Sequence, residues 1–166
     1  MPANKAKWKP VAFCGLSILI LDLVSKAIVQ DYINPWEPLV VIQGFFNLIL
    51  TYNSGVAFSI FAGDGEGGHA WMLISLSLFS LLPFIYFYLK ATPDDRLCLY
   101  GLGLVWGGAL GNIHDRLRWG AVVDFIDLYW GAWHWPAFNV ADMAICFGVG
   151  FLALSILREK PKKNLN

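Results

Sequence analysis

Charge is scarce in this chain. Asp, Glu, Lys and Arg make up 14% of its 166 residues, where a soluble domain carries roughly 25%. That shortage, beside 57% hydrophobic residues, shifts the class from globular to integral membrane. Net charge of either sign is missing too: twelve basic residues balance twelve acidic ones, which argues against nucleic acid as a partner. Cysteine is limited to Cys14, Cys98 and Cys146, an odd number in apolar surroundings with no C-x-x-C spacing. A disulfide framework and a cysteine metal site are thereby excluded, and these thiols read as small buried hydrophobes. The three histidines, His69, His114 and His134, have no metal-ligand spacing. No Ser-His-Asp or Ser-Lys pairing is evident: Ser25 and Lys26 are adjacent, and adjacent helical positions do not face each other. Internal repeats, low-complexity tracts and a separate soluble domain are all lacking. A leader-like basic start (Lys5, Lys7, Lys9) precedes the first apolar run, but no A-x-A-like site follows, so the run is expected to stay.

Long apolar runs are what the chain has instead. Four of them, residues 11–29, 70–89, 97–113 and 140–157, approach the roughly 20 residues that a helix needs to cross a bilayer core. The expected fold is an α-helical integral membrane protein, a single domain over 1–166 with four transmembrane helices. Orientation follows from Lys and Arg. With the N-terminus in the cytoplasm, nine basic residues fall inside (Lys5 through Lys163) and two, Arg116 and Arg118, outside. Both termini are then cytoplasmic. The two extracytoplasmic segments are 30–69 and 114–139. The first carries a strand pair over 39–42 and 45–52, and the second a strand over 122–130. Trp119, Tyr129, Trp130, Trp133 and Trp135 suit the membrane–water boundary. The segments therefore read as a small β-rich element lying on the outer membrane surface.

Polar residues converge on one level of this arrangement. Asp22 and Lys26 lie four apart on the outer half of the first helix, and Asn112, Asp115 and Arg116 share a face at the outer end of the third. Asn139 and Asp142 open the fourth, with Asp124 just before it outside. Each has a bland reading: a structural ion pair for Asp22–Lys26, an N-cap for Asn139, the positive helix end for Asp142, lipid phosphate for Arg116. Asp127 reads as a solvated neighbour of Asp124. Asn53 and Gly55 form a turn that could grip a peptide backbone. Ionisable groups at a hydrocarbon boundary are costly and usually have a task, so the convergence outweighs its parts.

These motifs resemble those of the bacterial lipoprotein signal peptidases (signal peptidase II), integral membrane aspartyl proteases. They are D-x-x-S-K at 22–26, N-S-G-V-A-F at 53–58, G-G-A-L-G-N-I-H-D-R at 107–116, V-V-D-F-I-D at 122–127 and F-N-V-A-D at 138–142. The resemblance covers nearly the whole chain. His114 stands where the family more often has an apolar or other residue. What the resemblance implies is a bacterial cytoplasmic-membrane enzyme with its site at the outer leaflet. Its substrate would be a prolipoprotein whose lipobox cysteine already carries diacylglycerol, cut just before that cysteine. Asp124 and Asp142 match the catalytic pair, while Asn112, Asp115, Arg116, Asn139 and Ala141 match the residues around it. Asp22, Lys26, Asn53 and Gly55 match further characteristic positions, with stabilising or substrate-contact roles.

The residues fit that chemistry independently. Two close carboxyls cannot comfortably both ionise, so the pair keeps a proton, one member activating water and the other donating to the scissile carbonyl. No metal or cofactor is expected, and nothing demands more than a monomer. Membrane lipid is the other expected partner. A proton-coupled transporter is the alternative reading, since membrane carboxylates relay protons, but the inner halves of the helices are apolar. A non-enzymatic scaffold is the other, and it would tolerate Asp124→Asn.

Overall fold

The computed structural model describes residues 7–54 and 68–158. Gly55, the rest of the 53–58 motif after Ser54, and residues 63–67 of the Gly-rich loop lie outside the described residues. The chain order is α1 (Trp8–Tyr32), β1 (Leu39–Ile42), β2 (Phe46–Asn53), α2 (Gly68–Ser80), α3 (Leu82–Lys90), α4 (Arg96–Trp119), β3 (Val122–Trp130), β4 (Trp133–His134) and α5 (Val140–Arg158).

Among the described residues, three stretches are long and apolar enough to cross a membrane: Trp8–Tyr32, Trp71–Lys90 and Val140–Arg158. The run expected over 70–89 is two helices, not one. Pro83, near the start of α3, has no N–H to give the preceding turn, so the ladder breaks at Leu81. The third run, expected over 97–113, behaves differently again. Its glycines, Trp106 and polar end dilute its hydropathy, and α4 is the most deeply buried helix of the fold. It also runs past residue 113 to Trp119, so Asn112 and Asp115 lie inside a helix, with Arg116 in its last turn. The Asp95 carboxylate accepts from the Cys98 N–H to start α4, and Gly120, at φ 70°, ends it in the left-handed region.

Helix α4 lies between α1 and α5. Gly103 and Gly107 sit against the α1 backbone at Val11 and Gly15, and Gly101 and Gly108 against α5 at Gly148 and Ala141. A side chain at any of them would come closer than 3.0 Å to a backbone oxygen of the neighbouring helix. Small residues that let backbones approach drive helix association in lipid, where the hydrophobic effect does not. At the N-terminal end of α1, the buried Lys7 ammonium donates to the carbonyls of Tyr88 (2.9 Å), Ala91 (3.3 Å) and Leu89 (3.4 Å) at the end of α3. Near the same end, the Ser155 hydroxyl of α5 donates to Asp95 Oδ2 at 2.5 Å.

The strands form one antiparallel arrangement in the order β1-β2-β3-β4. Register pairs Asn47 with Asp127, Thr51 with Asp124 and Asn53 with Val122, with an irregularity between Leu48 and Thr51. Val123 and Phe125 pack with Leu50 onto Val29 of α1, which fixes the sheet to the helices. That packing leaves Asp124, of opposite parity in β3, to the other face. The edge strand β1 is exposed along its whole length, and Trp36, Phe45 and Trp130 are exposed with it.

Candidate active site

Three helices and two strands bring their polar groups together where α4 leaves its apolar stretch. The anchor is Lys26. Its ammonium lies 2.7 Å from Asp22 Oδ2 and 2.8 Å from Asp115 Oδ2, and it donates to Asn112 Oδ1 at 3.0 Å. All four side chains are buried. A buried cation is tolerable only when paired and hydrogen-bonded, and here two carboxylates and an amide supply that. Asp22 does more than balance charge: its Oδ1 accepts from the Ala141 N–H at 2.9 Å, one of the orphan donors in the first turn of α5. The pair read from sequence as structural therefore ties α1 to both α4 and α5. Gly111 makes the tie possible, because a Cβ there would overlap Asp22 Oδ2.

From this anchor two arms reach toward Asp142 and Asp124. Asn112 turns its amide nitrogen to Asp142 Oδ1 at 2.8 Å. Asp115 Oδ2 accepts from the Val123 N–H at 3.1 Å and so fixes the strand that carries Asp124. Asn139 joins the arms. Fully buried, its Nδ2 donates to Asp124 Oδ1 at 2.7 Å, with longer contacts to Val123 O and Asn112 Oδ1. Its Oδ1 accepts from the Asp142 N–H at 2.9 Å, while its own N–H donates to Asp142 Oδ2 at 3.3 Å. This reciprocal arrangement is a capping box with Asp in the place of the usual Glu. The capping reading of Asn139 and the helix-end reading of Asp142 both hold, and neither exhausts what these side chains do.

Asp124 is buried, and its second oxygen accepts from Asn53 Nδ2 at 3.0 Å. Its carboxyl is pushed up to about 6, chiefly by loss of solvent. Repulsion from Asp142 adds to the rise, while the bonds from Asn53 and Asn139 and the charge of Lys26 oppose it. Asp142 is half-buried and so is the more open of the two. Arg116 Nη1 donates to its own helix at Asn112 O (3.2 Å), and its guanidinium is near enough to feel Asp142, Asp115 and Asp124. Among the described residues no three His, Cys, Asp or Glu side chains gather so as to hold a metal ion.

Of the residues singled out from sequence, Asp22, Lys26, Asn53, Asn112, Asp115, Arg116, Asp124, Asn139, Ala141 and Asp142 belong to this one network; Gly55 lies outside the described residues. Two expectations fail. Cys146 is exposed rather than buried. Asp127 is not solvated: it is buried, accepting from Asn47 Nδ2 at 2.9 Å and lying 2.7 Å from His134 Nδ1, whose ring stacks on Tyr129. Strand register puts Asn47 opposite Asp127, and the β3–β4 hairpin folds His134 back over it. The sequence signal was slight, a Gly131 turn between two aromatic-rich stretches.

Residues 14–158 match the family described as signal peptidase (SPase) II. A lipoprotein signal peptidase of Polynucleobacter necessarius is 42% identical over 145 residues, covering 87% of this chain and 87% of its own. One from Geobacter sulfurreducens is 38% identical over 148 residues, covering 89% of this chain and 91% of its own. A solved bacterial membrane enzyme superposes with a TM-score of 0.76 at 27% identity, over 90% of this chain and 94% of that one. Neither the transporter nor the scaffold reading gains support from these likenesses. With Asn139 bonded to both Asp124 and Asp142, and a match over most of its length, the chain belongs to the signal peptidase II family of lipoprotein signal peptidases.

Proposed function

We propose that Asp124 and Asp142 act together on one water to cut the signal peptide from a diacylglyceryl-modified prolipoprotein, just before the lipidated cysteine. The observation that carries this reading is Asn139, which donates to Asp124 and accepts from the Asp142 backbone within one buried side chain. The raised Asp124 favours a pair that holds one proton in common. The ionised member takes a proton from water, which attacks the scissile carbonyl. The protonated member donates to the carbonyl oxygen, and the proton then passes to the leaving amine as the tetrahedral intermediate collapses. The two titrate as a unit, so base and acid are roles of the pair. Lys26, Asp22, Asp115 and Asn112 hold the frame. Arg116 holds positive charge beside the pair, and Asn53 positions Asp124 at the mouth.

In this reading α4 is a fourth crossing helix despite its diluted hydropathy, because its polar end is satisfied by α1 and α5 rather than exposed to lipid. Both termini are cytoplasmic, the pair sits at the outer leaflet of the bacterial cytoplasmic membrane, and the sheet lies on the outer surface. The 9-to-2 excess of basic residues on the inner side supports that orientation. A diacylglyceryl cysteine, whose chains remain in lipid at about 0.8 kcal/mol per buried CH₂, arrives at that level by lateral diffusion. The purified protein, given a lipidated precursor peptide, tests the reading. Asp124→Asn and Asp142→Asn should each fold and lose cleavage by roughly 10³-fold or more. An unlipidated peptide should be cut poorly. Cleavage that survives either substitution would overturn the pair.

A further inference from the structure

We propose that the cleft between α1 and α3 holds one acyl chain of an anionic phospholipid from the cytoplasmic leaflet, at a site separate from the peptidase centre. The cleft encloses about 550 Å³ between apolar walls, with α4 as its floor at Gly107. It exists because α3 packs on α4 and is joined to α1 through Lys7, leaving the two helices apart above that clasp. Trp8 and Tyr88 stand at its cytoplasmic end, and Leu19 and Leu110 at its deep end. From Trp8 to Leu19 the helix rises about 16 Å, roughly half of a ~30 Å hydrocarbon core. That is the depth of one leaflet. A substrate's spanning helix would need about twice that length, whereas one lipid chain fits.

Charge at the shallow end completes the match. Lys9, next to Trp8 in α1, and Lys90, whose ammonium lies 5.8 Å from the centre of the Tyr86 ring, are exposed at that end of the two helices. Lys7, lying 4.7 Å over the Tyr88 ring, is occupied by three carbonyls. Of the acids in the turn that follows α3, Asp95 is engaged with Cys98 and Ser155, leaving Asp94 as the opposing charge. A phosphate with a negative charge suits the exposed lysines, and amphipathic rings suit the headgroup level. Water would gain nothing in so apolar a space. Assignment to the cytoplasmic leaflet rests on the orientation proposed above; the one-leaflet depth does not.

The test uses the full chain in nanodiscs of phosphatidylcholine doped with phosphatidylglycerol that carries a diazirine midway along one acyl chain. Photolabel mapped by peptide mass spectrometry is expected to concentrate on residues 12–19 and 106–110, and to fall severalfold when the probe is a diazirine phosphatidylcholine. Replacing both exposed lysines, Lys9→Gln with Lys90→Gln, should lower phosphatidylglycerol labelling of the cleft about fivefold. Ala12→Phe should abolish it while leaving labelling of Phe147, on the exposed face of α5, unchanged. Three results would overturn the proposal: label spread evenly between the cleft and Phe147, equal labelling by both lipids, or displacement of the cleft label by a lipidated precursor, which would give the cleft to the substrate. Precursor cleavage is read separately on the same nanodiscs, so failure of the lipid site and failure of the peptidase reading are distinguishable.

Discussion

Asp124 is held in a fold that disfavours its charge, and that has a consequence for stability as well as for chemistry. Its carboxyl stands near 6 in the folded chain against an ordinary 3.8, so between those pH values the folded state binds more protons than the unfolded one. Stability must therefore fall as pH rises through that window, opposite in sign to a carboxylate stabilised by its partners. The full effect is about 3 kcal/mol at neutral pH, less what Asn53 and Asn139 lose if the carboxylate is replaced. Asp124→Asn should accordingly melt above the parent protein at pH 7.5 in detergent, with the gap closing by pH 4; a lower melting temperature at both would contradict it. The bond from Asn53 acts the other way and lowers the Asp124 value. Removing it with Asn53→Ala should move the alkaline limb of kcat/KM, where the proposed pair would lose its proton, to higher pH. At this scale the sequence spoke plainly about Asn112, Asn139 and both aspartates, because polar residues in apolar runs stand out. It said little about Asn47, Asp127 and His134, whose meeting depends on strand register through an irregularity that no local pattern encodes.

Elements are set by what their residues must avoid as much as by what they prefer. Helix α4 continues through Asn112 and Asp115, beyond the end of its apolar run, because Lys26, Asp142 and the Val123 amide satisfy those groups. That continuation was hidden in the sequence, since the partners come from distant segments. The break at Leu81 was readable in Pro83, but counting apolar residues passes over it. The glycines of α4 make a sharper test. Gly108 faces the Ala141 carbonyl, which cannot move without shifting α5, whereas Gly150 on α5 has nothing within 4 Å. Gly108→Ala gains about 1 kcal/mol of helix propensity but should lose more through overpacking, which costs about 1–3 kcal/mol. Its melting temperature should drop, and peptidase activity with it, because Ala141 is next to Asp142. Gly150→Ala should leave both intact.

Across the whole molecule, packing is uneven. Helices α1 and α5 close tightly over α4, while α2 and α3 touch it sparsely and bury little. Local opening follows contact density. Hydrogen exchange in detergent should therefore be slowest along 98–113 and fastest, among the helices, over 71–90; the reverse order would mean that the Lys7 clasp carries more of the fold than its three bonds suggest. The overall plan, apolar helices with a small sheet at one end, could be read from hydropathy and strand composition. The centrality of α4 could not, because burial in this fold tracks glycine rather than apolarity.

Asn139, Ala141 and Asp142 all open the last helix, and Lys26, their distant support, sits in the first. In the proposed reading, a chain still emerging from the ribosome carries half a reaction centre until α5 enters the bilayer. Cleaving power would then appear only once α5 is made and inserted. A truncated or stalled copy would be chemically silent, a safeguard built into gene order rather than into any inhibitor.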